Sequence, residues 1–195
     1  MKNITDILKK KKKPLNLDKT LLIFDIDETL IHSTQNSLGK HYDFKVGTFY
    51  TYCRPGLKEL ISYALDNFYV AVWSSASANY VKAIVENIFP NIDDLEFYWD
   101  SKRCTICADF EQRKYYDVKD LNKVRRKGYS KNRILIVDDS PEKSERNYGN
   151  AIYMRPFSGN PNDRYLYMLV EYLDTIKDIK NVRIIDKRIW WRDYE

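Results

Sequence analysis

Cysteine is scarce in this chain: Cys53, Cys104 and Cys107 are the only three among 195 residues. So small and odd a number excludes the paired disulfide framework that staples many secreted domains. Histidine is scarcer, with His32 and His41 alone. Cys104 and Cys107 have the C-x-x-C spacing of half a zinc site, but Cys53 and the two histidines do not repeat it. The thiols therefore read as ordinary buried or half-buried side chains. Long apolar runs are missing too. None approaches the roughly 20 residues of a membrane span, and the lysine-rich start lacks the apolar stretch of a signal peptide. The expectation is an intracellular protein, cytoplasmic or nuclear, with no membrane partner. No internal repeat is present, and no low-complexity segment beyond the block Lys9 to Lys13.

What is present fits one soluble domain. Hydrophobic residues make up 44% and charged residues 31%, a balance that buries a core and argues against disorder. The net charge of +5 is modest and partly local to the lysine block, and a mildly basic surface suits an anionic ligand. Residues 1–17 read as a lead-in, with Ile4, Ile7 and Leu8 on one short helical face that Pro14 ends. Residues 18–195 read as the domain, with a small insert at about 93–116.

Three segments organise that domain. An apolar run from about Lys19 to Ile26 has the pattern of a strand buried on both faces, and it stops at Asp25, Asp27 and Glu28. Phe68 to Trp73 is a second such run, ending in Ser74, Ser75 and Ser77; Arg133 to Val137 is a third, ending in Asp138, Asp139 and Ser140. Between them lie helical stripes. One, of Leu57, Leu60, Ile61, Ala64 and Leu65, follows Arg54-Pro55-Gly56; the other, of Tyr80, Val81, Ile84, Val85 and Ile88, stops at Pro90. Strand alternating with helix predicts an open, mainly parallel α/β sheet flanked by helices.

Shorter signals fill in the remainder. Thr29 to His32 leave the first strand, and Tyr42 to Tyr52, with Gly47 near its middle, predicts a hairpin flap. Leu95 to Trp99 reads as a short strand, Asp100 to Lys114 as an inserted loop or small cap, and Val118 to Val124 as a short helix. Pro141 and Glu142 open another helix, Ala151 to Met154 is a fourth strand, and a final helix begun near Pro161 carries Leu166, Leu169, Val170, Leu173 and Ile176. In the basic, aromatic tail, Trp190 and Trp191 are expected to pack on the domain.

In a parallel sheet the three polar strand ends share one edge, the edge where such sheets bind ligands. Asp25 and Asp27, two residues apart, would share a face in a regular strand, and carboxylates so close stay ionised only beside a cation. Mg²⁺, hard and content with few protein oxygens, is the natural one. Such a site could support attack on phosphorus by one Asp, with the second acid moving protons. An acidic turn after a core strand would give the same letters. Lys119 is the best candidate for the fixed positive charge that phosphoryl transfer needs, although a solvated surface lysine reads identically.

Taken in order, Asp25-Ile26-Asp27-Glu28-Thr29-Leu30, Trp73-Ser74-Ser75-Ala76, Val118-Lys119-Asp120-Leu121 and Ile136-Val137-Asp138-Asp139-Ser140-Pro141 resemble the four motifs of the haloacid dehalogenase superfamily. Together with Arg54-Pro55-Gly56 they are similar to its branch of RNA polymerase II C-terminal-domain phosphatases, the NLI-interacting-factor family. The resemblance spans about Leu17 to Leu173 and implies a fold without a large cap. It implies Asp25 as the phosphorylated nucleophile and a Mg²⁺ ligand, and Asp27 as general acid/base that meets the metal through its backbone carbonyl. Ser74, Lys119 and Thr29 become phosphate-binding, Thr29 as a supporting hydrogen-bonder just behind the nucleophile, and Asp139 completes the metal shell with Asp138 beside it. The implied reaction is Mg²⁺-dependent hydrolysis through an aspartyl-phosphate, on phosphoserine or phosphothreonine of a protein. Two other readings stay open. One is a phosphatase of nucleic-acid ends or small phosphate esters, which the lysines and basic tail motivate; the other is a non-catalytic binding module on the same fold.

Overall fold

Four apolar side chains in succession can be hidden only between two layers, and Leu21 to Phe24 are all fully buried in strand β1 (Leu21–Phe24). The computed structural model describes residues 19–110 and 113–194, so the lead-in 1–17, with its expected helical face and lysine block, lies outside the described residues. β1 is shorter than the run Lys19 to Ile26 because the chain turns after Phe24. The carbonyl of Ile26 accepts from the N–H groups of Thr29, Leu30 and Ile31. Glu28 takes a left-handed φ of 58° in that turn.

The segment expected simply to leave the strand instead forms β2 (Ile31–Thr34). With β3 (Phe44–Val46) and β4 (Phe49–Cys53) it makes an antiparallel sheet in the order β2-β4-β3. The expected flap is the β3–β4 hairpin. β2 escaped notice because only Ile31 in it is buried, leaving no alternation to read. Next comes α1 (Leu57–Asn67), entered through Gly56 at φ 86°, where an added Cβ would lie 3.2 Å from the Tyr167 ring. β5 (Tyr69–Trp73), α2 (Ala78–Ile88) and β6 (Leu95–Trp99) then repeat the strand–helix alternation.

The stretch expected to be a loop or small cap holds an antiparallel hairpin, β7 (Thr105–Asp109) with β8 (Lys114–Val118). Ile106 and Ala108 are exposed, so its charges concealed a real strand pair. Val118 closes β8 rather than opening a helix, and α3 (Asn122–Arg125) is a single turn. After β9 (Ile134–Asp138), the helix expected at Pro141 is a tight 3₁₀ run to Asn150, broken at Asn147. β10 (Ala151–Tyr153) and α4 (Tyr165–Ile176) follow. α4 starts past Pro161, where in the turn before it Asp163 Oδ1 accepts from the Tyr165 N–H at 2.9 Å.

The main sheet is entirely parallel, in the order β10-β9-β1-β5-β6. From β1 the chain builds outward through β5 and β6, then returns to build β9 and β10 on the other side. The reversal opens a crevice at the carboxyl ends of β1 and β9. Leu22 and Phe24 face the core of α1, α2 and α4, whereas Leu21 and Ile23 face the opposite layer, with Trp73, Trp99, Leu121 and Val124. At the C-terminus Trp190 is buried, stacked on Tyr172 at 5.4 Å, with its indole N–H donating to Tyr153 O at 2.8 Å.

Arg54 ties the small sheet to this frame. Its buried guanidinium makes a two-pronged contact with Asp163, 2.8 and 2.9 Å, and donates to Thr29 O at 3.1 Å while lying 5.3 Å from the ring centres of Phe157 and Tyr165. An ammonium can neither match the fork nor stack. Arg54→Lys is expected to destabilise the fold by about 2 kcal/mol in chemical denaturation. An unchanged midpoint would show that the fork does not hold the turn after β1.

Candidate active site

Asp25 follows β1 directly, and its N–H still donates to Val137 O at 2.9 Å, so the residue is held against β9. It continues the parity of Leu21 and Ile23 and projects toward the layer that contains α3. There its Oδ1 meets Lys119 Nζ at 2.8 Å. The same ammonium lies 2.7 Å from Oδ2 of Asp138, the last residue of β9. Asp25, Asp138 and Lys119 are all essentially sealed from solvent. Burial works against the Lys119 ammonium, but the charges of Asp138 and Asp25 and their hydrogen bonds outweigh it and raise its pKa above the ordinary lysine value. Burial likewise pushes the Asp138 carboxyl up, against the pull of Lys119.

Asn147 places the lysine. Its Nδ2 donates to Lys119 O at 2.6 Å and its Oδ1 accepts from the Leu121 N–H at 3.3 Å, so the break in the 3₁₀ run is where the side chain turns in to pin this loop. Thr29 does the same for Asp139. Its hydroxyl donates to Asp139 Oδ1 at 3.4 Å and accepts from the Asp139 N–H at 3.1 Å.

One carboxylate oxygen of each of Asp25, Asp138 and Asp139 lies within 4.8 Å of the others. Oδ2 of Asp25 is buried and has no hydrogen-bond partner; Lys143 Nζ lies 3.7 Å from it. A buried anionic oxygen without a donor, among three carboxylates, is a setting that a hard divalent cation fits. Both oxygens of Asp138 are engaged, Oδ2 by Lys119 and Oδ1 by the Ser140 N–H at 2.9 Å.

Asp27 does not share a face with Asp25, because the strand ends before either residue. Its Oδ1 accepts from the hydroxyl of Tyr80, on α2 in the opposite layer, at 2.5 Å. Burial pushes the Asp27 carboxyl up to about 6; the Tyr80 bond lowers it, while the charges of Asp25 and Glu28 add to the rise. Ser74 is buried at the end of β5, one strand from Asp25. Its N–H donates to Trp99 O at 3.0 Å, and its Oγ accepts from the Ala76 N–H at 3.0 Å.

These motifs belong to a known sequence pattern. Residues 20–183 match the model of the family described as NLI interacting factor-like phosphatase. The chain belongs to that family. Similar proteins include the ubiquitin-like domain-containing CTD phosphatase 1 of Xenopus laevis, 26% identical over 89% of this chain and 55% of the relative. Another is the mitochondrial import inner membrane translocase subunit TIM50 of Kluyveromyces lactis, 27% identical over 85% of this chain and 31% of that protein. The chain thus spans about half or less of these two relatives. Among solved structures, Fcp1, an RNA polymerase II CTD phosphatase, superposes with a TM-score of 0.56 at 15% identity, covering 85% of this chain and 52% of Fcp1, and shares its fold. Among the described residues no helix is long and apolar enough to cross a membrane.

Of the residues singled out in the sequence, the structure gathers Asp25, Lys119, Asp138 and Asp139, sets Thr29 behind Asp139, and keeps Ser74 and Asp27 at the same sheet edge. Lys143, Tyr80 and Asn147 were missed. Lys143 follows the third strand closely, but one lysine among 33 basic residues gives no signal. Tyr80 reads as part of the core stripe of α2, although its hydroxyl faces the site. The C-x-x-C pair is one buried and one half-buried thiol. Cys104 is buried, its thiol pushed up to about 11 by burial, and Cys107 Sγ lies 3.2 Å from Arg146.

Proposed function

We propose that this family member is a Mg²⁺-dependent phosphoric monoester hydrolase acting through an aspartyl-phosphate on phosphoserine or phosphothreonine of a protein. The unpartnered Oδ2 of Asp25, buried beside a charged Lys119, carries this reading. A lone pair with no donor to release is prepared for attack, and the neighbouring ammonium neutralises charge that arrives with a phosphoryl group.

In the first step Asp25 Oδ2 bonds to phosphorus as the bond to the ester oxygen breaks, and Asp27 gives that oxygen its proton. Asp27, now a carboxylate, takes a proton from water as the water oxygen bonds to phosphorus. The bond from phosphorus to Asp25 then breaks, releasing phosphate and restoring the nucleophile. Lys119 and the Ser74 hydroxyl hold the phosphoryl oxygens throughout. Asp25, Asp139 and the backbone carbonyl of Asp27 would hold Mg²⁺, with Asp138 orienting Lys119, and Thr29 supports Asp139 rather than the phosphate. When bound, the cation neutralises the carboxylates and polarises the phosphoryl group.

The protein-substrate reading is supported by relatives named as CTD phosphatases. The translocase relative keeps a binding module as the second reading. Rapid acid quench with a radiolabelled phosphoserine peptide and Mg²⁺ separates the two. A phosphatase leaves hydroxylamine-sensitive label on the protein, and a binding module leaves none.

Tyr80→Phe probes the acid/base role. The rate constant kcat/KM requires Asp27 protonated to expel the leaving group, so activity falls as pH rises through its pKa, near 6. Removing a bond that lowers this pKa should move the alkaline limb to higher pH. A limb that stays in place would assign it to another group.

A further inference from the structure

Beside the proposed site lies a second, strongly basic cleft of about 340 Å³, lined by Trp99, Lys102, Arg103, Lys123, Arg126 and Lys127. Five of the six lining residues are cationic and none is acidic. The cleft is built rather than incidental. The Lys123 ammonium donates to the carbonyls of Arg103 and Cys104 at 2.8 and 3.0 Å, fastening α3 to the turn after β6. Trp99 forms the floor, edge-on to Trp73, with the Arg103 guanidinium 5.2 Å and Lys127 Nζ 5.8 Å from its ring centre. The nearby carboxylate of Asp100 accepts from the Lys102 backbone N–H at 2.8 Å, capping the turn.

Its position relative to Asp25 follows from the sheet. Phe24 is in register with Val72, and Trp73 with Trp99, so Asp25, Trp73 and Trp99 lie in one row across β1, β5 and β6. Two strand spacings put the floor of the cleft about 10 Å from the nucleophile's strand. α3, which supplies Lys123 to one wall, begins three residues after Lys119.

Resting on the phosphatase reading, we propose that this cleft binds a second phosphoryl group on the same substrate peptide. An extended peptide advances about 3.3 Å per residue, so a phosphoresidue roughly three to five positions from the scissile one reaches the cleft when the first sits at Asp25. Clustered lysine and arginine donors around an aromatic floor suit a dianionic phosphate better than a single carboxylate.

The test compares phosphoserine peptides carrying a second phosphoserine, an aspartate or a serine four residues away, with the native chain and with Lys102→Ala/Arg103→Ala/Arg126→Ala. All three substituted side chains are exposed. For the native chain, KM for the doubly phosphorylated peptide is expected to be on the order of 10-fold lower than for the serine peptide, with aspartate between. The triple variant should lose the difference while its aryl-phosphate turnover stays native, which also shows that it is folded. Equal KM values for the three peptides would overturn the proposal with the phosphatase reading intact. Fluorescence anisotropy with the doubly phosphorylated peptide separates the opposite failure. Binding that the triple variant loses, without any hydrolysis, would keep the cleft and reject the enzyme. A single-stranded oligonucleotide that binds the cleft more tightly than the peptide would overturn the peptide assignment.

Discussion

Asp25→Asn is expected to lower phosphate release by on the order of 10⁴-fold or more, the scale seen when a covalent nucleophile is removed. The amide keeps the size of the carboxylate but is a poor nucleophile; of the two neighbouring carboxylates, Asp138 has both oxygens engaged and Asp139 accepts from the Thr29 hydroxyl. Stability should move the other way or stay level. In the native chain Asp25, Asp138 and Asp139 crowd their charges within 4.8 Å, and Asp25 Oδ2 is buried without a partner. Neutralising Asp25 relieves that repulsion and still leaves Lys119 paired with Asp138. Without divalent cation the variant should melt at or above the native temperature, and added Mg²⁺, which raises native melting by binding the folded state, should raise it less. Residual turnover within tenfold of native would remove Asp25 from the nucleophile's role. Undiminished stabilisation by Mg²⁺ would place the cation elsewhere.

Lys119→Met carries the largest expected effect on folding. Methionine fills similar space, but it strips two buried carboxylates of the ammonium at 2.7 and 2.8 Å, leaving Asp138 without that partner and Asp25 with only the more distant Lys143 Nζ at 3.7 Å. Stranding buried charge in this way costs about 3–5 kcal/mol, far more than the net worth of an exposed pair. In a chain of this size that is a fall of roughly 10 °C or more in melting temperature. The same change in the Asp25→Asn background should cost less, because one stranded charge has already gone, and the difference measures the coupling. Turnover should fall by about 10² to 10³ through loss of charge stabilisation. A variant as stable as native would mean that the ammonium does not balance the two acids.

The strands of the main sheet and the edge where they end were legible in the chain itself. β1, β5 and β9 are buried on both faces, so their apolar runs are nearly continuous and cannot be mistaken for surface. Each run stops at a polar residue because the sheet's carboxyl edge is where polar side chains are tolerated. α1, α2 and α4 showed their buried stripes for a similar reason. β2 and the β7–β8 hairpin were not legible: half-exposed strands earn no apolar run, and pairing between distant segments leaves no local trace. The one-turn α3 was misplaced because the loop carrying Lys119 follows Asn147, 28 residues away, and not its own helix propensity.

By itself, then, the sequence determined the parallel α/β frame, the acids and lysine of the site and the family pattern that joins them, since each is written as local composition along single strands. Tertiary structure alone decided the partners. It sent Asp25 toward Lys119 and Asp27 toward Tyr80, brought Lys143 near Asp25, and assembled a basic cleft from β6, the turn after it and α3. Those are contacts between side chains remote in sequence. Their direction depends on where a strand stops and which layer a side chain faces, and both are settled only when the sheet closes around its core.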